Sequence, residues 1–257
     1  MSIDRFVSRH LGPRESEINE MLDFVGVSSM DELMEQTVPS NIRLKKPLKL
    51  KEGLTERKYF RQILEIAGKN KVFNTYIGMG YYDTITPAVI LRNVLENPAW
   101  YTSYTPYQAE ISQGRLEALL NYQTMVCELT GMEIANASLL DESTAAAEAI
   151  VMMMNLRSRK MAKNDVNVVL VDEKMWPQTH DVIITRAKPL GIELRIQPID
   201  SFELSDDVFG ILVQYPNSDG EIIDYAGLAE KAHEKEIKVA VAADILSLAI
   251  LVPPGEW

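Results

Sequence analysis

Several common chemistries need residues that this 257-residue chain has in short supply. It has one cysteine, Cys127, so an intrachain disulfide and a cysteine-based zinc site are both excluded. Its three histidines, His10, His180 and His233, are too scattered to suggest a metal cluster. Positive charge is scarce: 26 Lys and Arg stand against 37 Asp and Glu, a formal net charge of −11. Such a chain is a poor partner for nucleic acid, whose phosphates need basic side chains. No stretch reaches the roughly 18 consecutive apolar residues of a membrane span. The longest apolar run, 245–254, is broken by Ser247 and stopped by Pro253 and Pro254. The N-terminus lacks the apolar core of a signal peptide, and Glu15 and Glu17 come too early for an Arg-rich transit peptide. The expected setting is cytoplasmic, with neither membrane nor nucleic acid as partner. The phosphate-binding GK[ST] loop, HExxH and GxSxG are absent. Gly78-Met79-Gly80 lacks the third glycine of a dinucleotide fingerprint.

What is present is ordinary globular composition, 46% apolar and 25% charged. Ile18, Met21, Leu22 and Val25 recur at helical spacing before Gly26. A short helix follows Ser29 and ends near Thr37. A basic, extended stretch, 40–55, reads as a solvated linker. Thr55 caps a third helix to about Lys69, with Phe60, Ile63, Leu64 and Ala67 as its apolar stripe. Pro87 starts a helix that ends near Asn97. A long helix is expected over 113–130, its buried side traced by Leu116, Leu119, Leu120, Gln123, Val126, Cys127 and Leu129, and Gly131 ends it.

The pattern then changes. Ser143 or Thr144 caps an Ala-rich helix that reaches about Met161. Segments 166–172, 194–200, 210–215 and 238–243 read as strands, with helices at 179–190 and 225–235 between them. Continuous apolar runs such as VNVVLVD and GILVQY suit strands covered on both faces. The alternation predicts an α/β fold, a three-layer α/β/α domain with a mainly parallel sheet. Residues 1–70 form an N-terminal helical segment and linker, and 71–257 the α/β domain. The chain stops just after a strand, which suggests an incomplete sheet and a piece of a longer polypeptide.

Two aromatic segments are candidates for a site. Tyr81, Tyr82 and Asp83 follow the Gly-x-Gly hinge. Tyr101, Tyr104 and Tyr107 lie in a loop near Glu110, Ser112 and Gln113. Rings with polar tips line ligand clefts and packed interfaces alike, so both readings stay open. Asp141 and Glu142 at a helix start are explained as partners of the helix dipole, and as carboxylates they would repel a phosphate. His180 is expected to make a local hydrogen bond near a helix start, and Cys127 to sit in the core.

RHLGP at 9–13, YIGMGYYDT at 76–84, TPYQAEISQGRLEALLNYQTM at 105–125, LTGMEIANASLLDESTAAAEA at 129–149 and PGEW at 254–257 together resemble the glycine decarboxylase (P-protein) family of the glycine cleavage system. The likeness is to the N-terminal half, or to the α subunit where the enzyme is split. It implies the aspartate-aminotransferase fold (fold type I) of pyridoxal-phosphate transferases. It also implies glycine as substrate, decarboxylation on pyridoxal phosphate as electron sink, and transfer of the aminomethyl group to the lipoyl disulfide of the H-protein.

The family's Schiff-base lysine belongs to the C-terminal half or β subunit. In KVAVAAD the slot for the aspartate that pairs with the pyridine nitrogen holds Ala242, and Asp244 stands two residues later, about 6–7 Å along the strand. None of the thirteen residues after Asp244 is lysine. DESTAAAE lacks the glycine-containing phosphate loop. The expectation is therefore that pyridoxal phosphate is held by the other half, with no cofactor, metal or catalytic residue in this chain alone. By motif, Tyr81, Tyr82, Asp83, Thr105, Tyr107, Gln108, Glu110, Ser112 and Gln113 would shape the glycine pocket and the lipoyl entrance. Expected partners are the C-terminal half or β subunit and the lipoylated H-protein, in a dimer or heterotetramer. A non-catalytic scaffold or regulatory chain, and a stand-alone pyridoxal-phosphate enzyme, are the competing readings.

Overall fold

In the computed structural model, which describes residues 6–10, 12–76, 78, 80, 83–102, 108 and 110–257, the chain divides into two units, Met1–Asn74 and Thr75–Trp257. The first unit is helical: α1 (Val7–His10), α2 (Glu15–Val25), α3 (Met30–Thr37) and α4 (Glu56–Ala67). Local capping sets these boundaries. Ser29 Oγ accepts from the Glu32 N–H at 3.1 Å, and Glu32 accepts in return from the Ser28 N–H at 2.7 Å. Thr55 Oγ1 accepts from the Lys58 N–H at 3.4 Å. Arg43, in the basic stretch, pairs with Asp31 at 3.2 Å and Glu35 at 3.0 Å. That stretch is thus tied back to α3 at one point. The α4 stripe departs from expectation: Phe60, Ile63 and Leu64 are all exposed. The periodicity is real, but among the described residues of this unit no element packs over that face.

The second unit begins with α5 (Ala88–Ile90), which runs into a π-helical turn at Leu91–Leu95, and with α6 (Pro98–Tyr101). Next comes α7 (Gln113–Thr130), with the bounds its periodicity predicts. Its expected apolar side is only half-buried, Cys127 included, and Leu120 is exposed. Arg115 ties its first turns to the Ala99 and Thr102 carbonyls, at 2.7 and 3.3 Å.

The α/β core follows as α8 (Glu142–Asn155), α9 (Arg159–Lys163), β1 (Val168–Asp172), α10 (Pro177–Ala187), β2 (Glu193–Gln197), β3 (Val208–Tyr215), α11 (Ala226–Glu234) and β4 (Lys238–Ala243). The Ala-rich helix expected to run unbroken to Met161 is two helices. Ser158 Oγ caps the second by accepting from the Met161 N–H at 3.3 Å. The cap of the first is Asp141 and neither of the hydroxyl residues after it: its Oδ1 accepts from the Thr144 N–H at 2.7 Å. An ionised oxygen makes the stronger bond to a helix-terminal N–H.

The four strands form one all-parallel sheet in the order β2-β1-β3-β4. β1 and β3 are buried along their whole length, as their unbroken apolar runs require, and the outer strands β2 and β4 are half-exposed. Val169, Val171 and Leu212 face Ala146, Ile150 and Met153 of α8 and Ile183 of α10. On the opposite face Leu170, Ile211, Val213 and Tyr215 meet Tyr225, Ala232 of α11, and the partly buried Leu251 and Trp257. This is the three-layer α/β/α arrangement that the strand-helix alternation predicts, with an open, incomplete sheet. Among the described residues, no helix is long and apolar enough to cross a membrane.

Candidate functional site

In parallel α/β sheets, ligands bind outside the carboxyl ends of the strands, where connections from neighbouring strands diverge. Here β1 is followed by β2 on one side while β3 lies on the other, and a cleft of about 550 Å³ opens there. Segments distant in sequence meet around it: Gly80, Glu142 of α8, Trp176 after β1, Gln214 and the turn after β3, and Ala242, Ala243 and Asp244 at the end of β4.

Hydrogen bonds hold its walls. The chain leaves β3 through a cis Tyr215-Pro216 peptide bond. Asn217, buried, then organises the turn: its Oδ1 accepts from the Asp219 and Glu221 N–H groups, both at 3.0 Å, and its Nδ2 donates to Glu221 at 2.9 Å. Lys174 bridges Asp219 and Glu221 at 3.1 and 2.7 Å. These hydrogen bonds lower the Glu221 carboxyl pKa and raise that of the Lys174 ammonium. The Trp176 indole lies against Gly80. A Cβ on that glycine would stand 2.5 to 2.8 Å from three ring atoms, and its φ of +97° suits only glycine.

The starts of α8 and α10 are joined to each other. Ser143 Oγ and Thr179 Oγ1 are 3.1 Å apart, both buried. His180 does make a local hydrogen bond, donating from Nε2 to the Asp172 carbonyl at 3.0 Å. Asp172 ends β1 fully buried; its Oδ1 accepts from the Lys174 N–H at 2.9 Å, and its Oδ2 has no partner among the described residues. Burial therefore raises its pKa. Glu142 is raised as well, by burial first and then by the charges of Asp141 and Asp244.

The residues expected to line a site fare differently. Tyr81, Tyr82, Thr105 and Tyr107 lie outside the described residues, as does Tyr104. Asp83, Gln108, Glu110 and Gln113 are exposed, Ser112 is buried at the start of α7, and none of these five lines the cleft. Sequence reasoning passed over Trp176, Gln214 and Asn217. The available signal was position, since each lies within a few residues of the carboxyl end of a buried parallel strand.

The comparisons with known proteins bear on this arrangement. Residues 8–257 match the glycine cleavage system P-protein family. This chain belongs to that family. Proteins named glycine dehydrogenase (decarboxylating) from Bacteroides thetaiotaomicron and Flavobacterium johnsoniae are 59% and 54% identical to it over 257 and 256 residues. All of this chain is covered, but only 27% of either relative, so the chain spans about a quarter of their length. A crystal structure of glycine decarboxylase (P-protein) of the glycine cleavage system, in inhibitor-bound form, superposes with a TM-score of 0.80 at 33% identity, covering 96% of this chain and 55% of that one.

The fold family implies pyridoxal phosphate, whose phosphate needs N–H donors or cations. The cleft does not fit it. Among its described lining residues there is no Lys, Arg or His, and the carboxyl groups of Glu142, Asp219 and Asp244 are present instead. The Asp141 carboxylate already occupies the first turn of α8 as its cap.

Proposed function

We propose that this P-protein family chain serves glycine decarboxylation without seating the cofactor itself. The observation that carries the reading is the cleft at the strand ends, where this fold places its ligand, whose described lining is acidic and holds no lysine. In the complete enzyme, pyridoxal phosphate is held by the C-terminal half or β subunit and acts as the electron sink for glycine decarboxylation. The aminomethyl group passes to the lipoyl disulfide of the H-protein, which is reduced. This chain completes and covers the site. Tyr81, Tyr82, Asp83 and the segment from Thr105 to Gln113 shape the glycine pocket and the lipoyl entrance. The chain works in the cytoplasm in a dimer or heterotetramer.

The test is reconstitution. The rest of the enzyme, loaded with pyridoxal phosphate, is assayed for glycine–bicarbonate exchange with and without this chain. Exchange is expected only with the chain present. Full exchange without it would make the chain a scaffold. Tyr82→Phe and Glu110→Gln are expected to lower exchange, and unchanged rates in both would remove the pocket assignment. Reductive trapping of pyridoxal phosphate on a lysine of this chain alone would overturn the whole reading.

A further inference from the structure

The floor of the cleft is Gln214, 4% exposed. Its Oε1 accepts from the Trp176 N–H at 3.2 Å. A backbone N–H can only donate, so this bond fixes which end of the amide is oxygen. The Nε2 end then carries two N–H donors with no hydrogen-bond partner among the described residues. That end of the amide lines the cleft, where it can donate to an acceptor from outside.

The wall chemistry defines the rest of the ligand. Glu142 Oε1 is buried with no partner among the described residues. Asp244 lies close enough to raise the Glu142 pKa, while its own Oδ1 caps the following turn by accepting from the Leu246 N–H at 3.2 Å. Asp219 is committed to Lys174. Two carboxyl groups thus share a partly dry cleft with no positive charge on its described lining. Glu142 is half-buried and Asp244 is exposed, and like charges placed together in this way are stabilised by an incoming cation. Trp176 also lines the cleft, and an indole face attracts the same charge. Among the described residues, no group of three or more His, Cys, Asp or Glu side chains could hold a metal ion. A hydrogen-bonding organic cation suits the cleft instead.

We propose that this cleft binds a lysine or arginine residue, its side-chain cation between Glu142 and Asp244 and a carbonyl oxygen of the same residue on the Gln214 amide. The volume suits a group of this size. Two sources share this chemistry: a free basic compound, and the part of the enzyme that this chain lacks. The side chains involved are distinct from those of the glycine pocket, so the proposal does not rest on that pocket.

The experiment titrates the 257-residue chain with the N-acetyl, N-methylamide derivatives of lysine, arginine and norleucine, followed by calorimetry and tryptophan emission. A basic derivative is expected to bind saturably, about tenfold or more tighter than the neutral norleucine compound, the difference of a charge-assisted contact. Glu142→Gln and Asp244→Asn should each weaken it by about fivefold or more. Both variants keep an oxygen at the altered position, and thermal melting verifies their folding. The same titration of the complete enzyme separates the sources: loss of binding there means that a basic residue of the remainder fills the cleft, and retained binding means that it stays open to free compounds. Equal binding of norleucine, no saturation by any derivative, or unchanged binding in both variants would each overturn the proposal.

Discussion

Gly255→Ala is the sharpest stability test this structure offers. Gly255 lies against Gly131, the residue that ends α7, with backbone on backbone. A Cβ built on Gly255 would overlap the Gly131 carbonyl carbon and oxygen and sit 2.8 Å from its Cα. No rotamer change relieves that overlap, because the atoms it meets belong to the main chain. The turn Pro254–Glu256 must therefore move away. Trp257 moves with it, and Trp257 packs on Tyr215 and Tyr225 with ring centroids 6.0 Å apart in both pairs. The smallest expected cost is ordinary overpacking, about 1–3 kcal/mol. Complete detachment is no worse than the loss of one half-buried aromatic contact, again about 1.5–3 kcal/mol. The predicted destabilisation is thus about 1–3 kcal/mol by either route. Equilibrium urea unfolding should show a lower midpoint at unchanged slope. In a Trp100→Phe, Trp176→Phe background, Trp257 emission should shift red before unfolding begins. A loss below about 0.5 kcal/mol with unchanged Trp257 emission would refute the reasoning from close contact to displacement.

Three further outcomes are expected. Gly80→Ala should lose about 1–2 kcal/mol from its positive φ alone, and more from collision with the Trp176 ring, with Trp176 emission reporting the disturbed cleft; wild-type emission and stability would contradict the close approach of Gly80 to the indole. Glu142 binds its proton more tightly folded than unfolded, so its contribution falls as pH rises from the ordinary glutamate value through the raised one. Glu142→Gln should accordingly stabilise the chain at neutral pH and not in acid, and a uniform change across the pH range of a denaturation series would show the carboxyl is not strained. The half-exposed edge of β4 adjoins Leu246 and Ile250, the latter 89% exposed, so the isolated chain should self-associate; sedimentation as a monodisperse monomer would contradict this.

The elements legible in the sequence were those with a local cause. The buried strands β1 and β3 are continuous apolar runs that only a two-sided sheet accommodates, and α7 has its full length written in its periodicity and closing glycine. What escaped had a cause elsewhere. Burial of the α7 and α4 stripes depends on what packs over them, and periodicity names a face without naming its cover. The π-helical turn at Leu91–Leu95 carries no propensity signature. Asp141 took the cap because an ionised oxygen outcompetes the hydroxyls beside it. The family was legible in long motifs, and these contain Gly80 and Glu142 of the cleft, but the site candidates drawn from them lie away from it or outside the described residues. The cleft itself converges from five segments between Gly80 and Ile245, and only the strand order brings them together.

Gln214 is gripped from both faces of the sheet. Tyr225 donates its phenolic proton to the Gln214 carbonyl at 3.0 Å from one side, while Trp176 fixes the side-chain oxygen from the other. Neither rotamer nor main chain is free to wander. Whatever accepts from that amide meets a donor whose entropy was surrendered when the protein folded, so association need not sacrifice it a second time. A rigid floor of this sort discriminates by shape and reach, favouring occupants whose oxygen arrives at one fixed point.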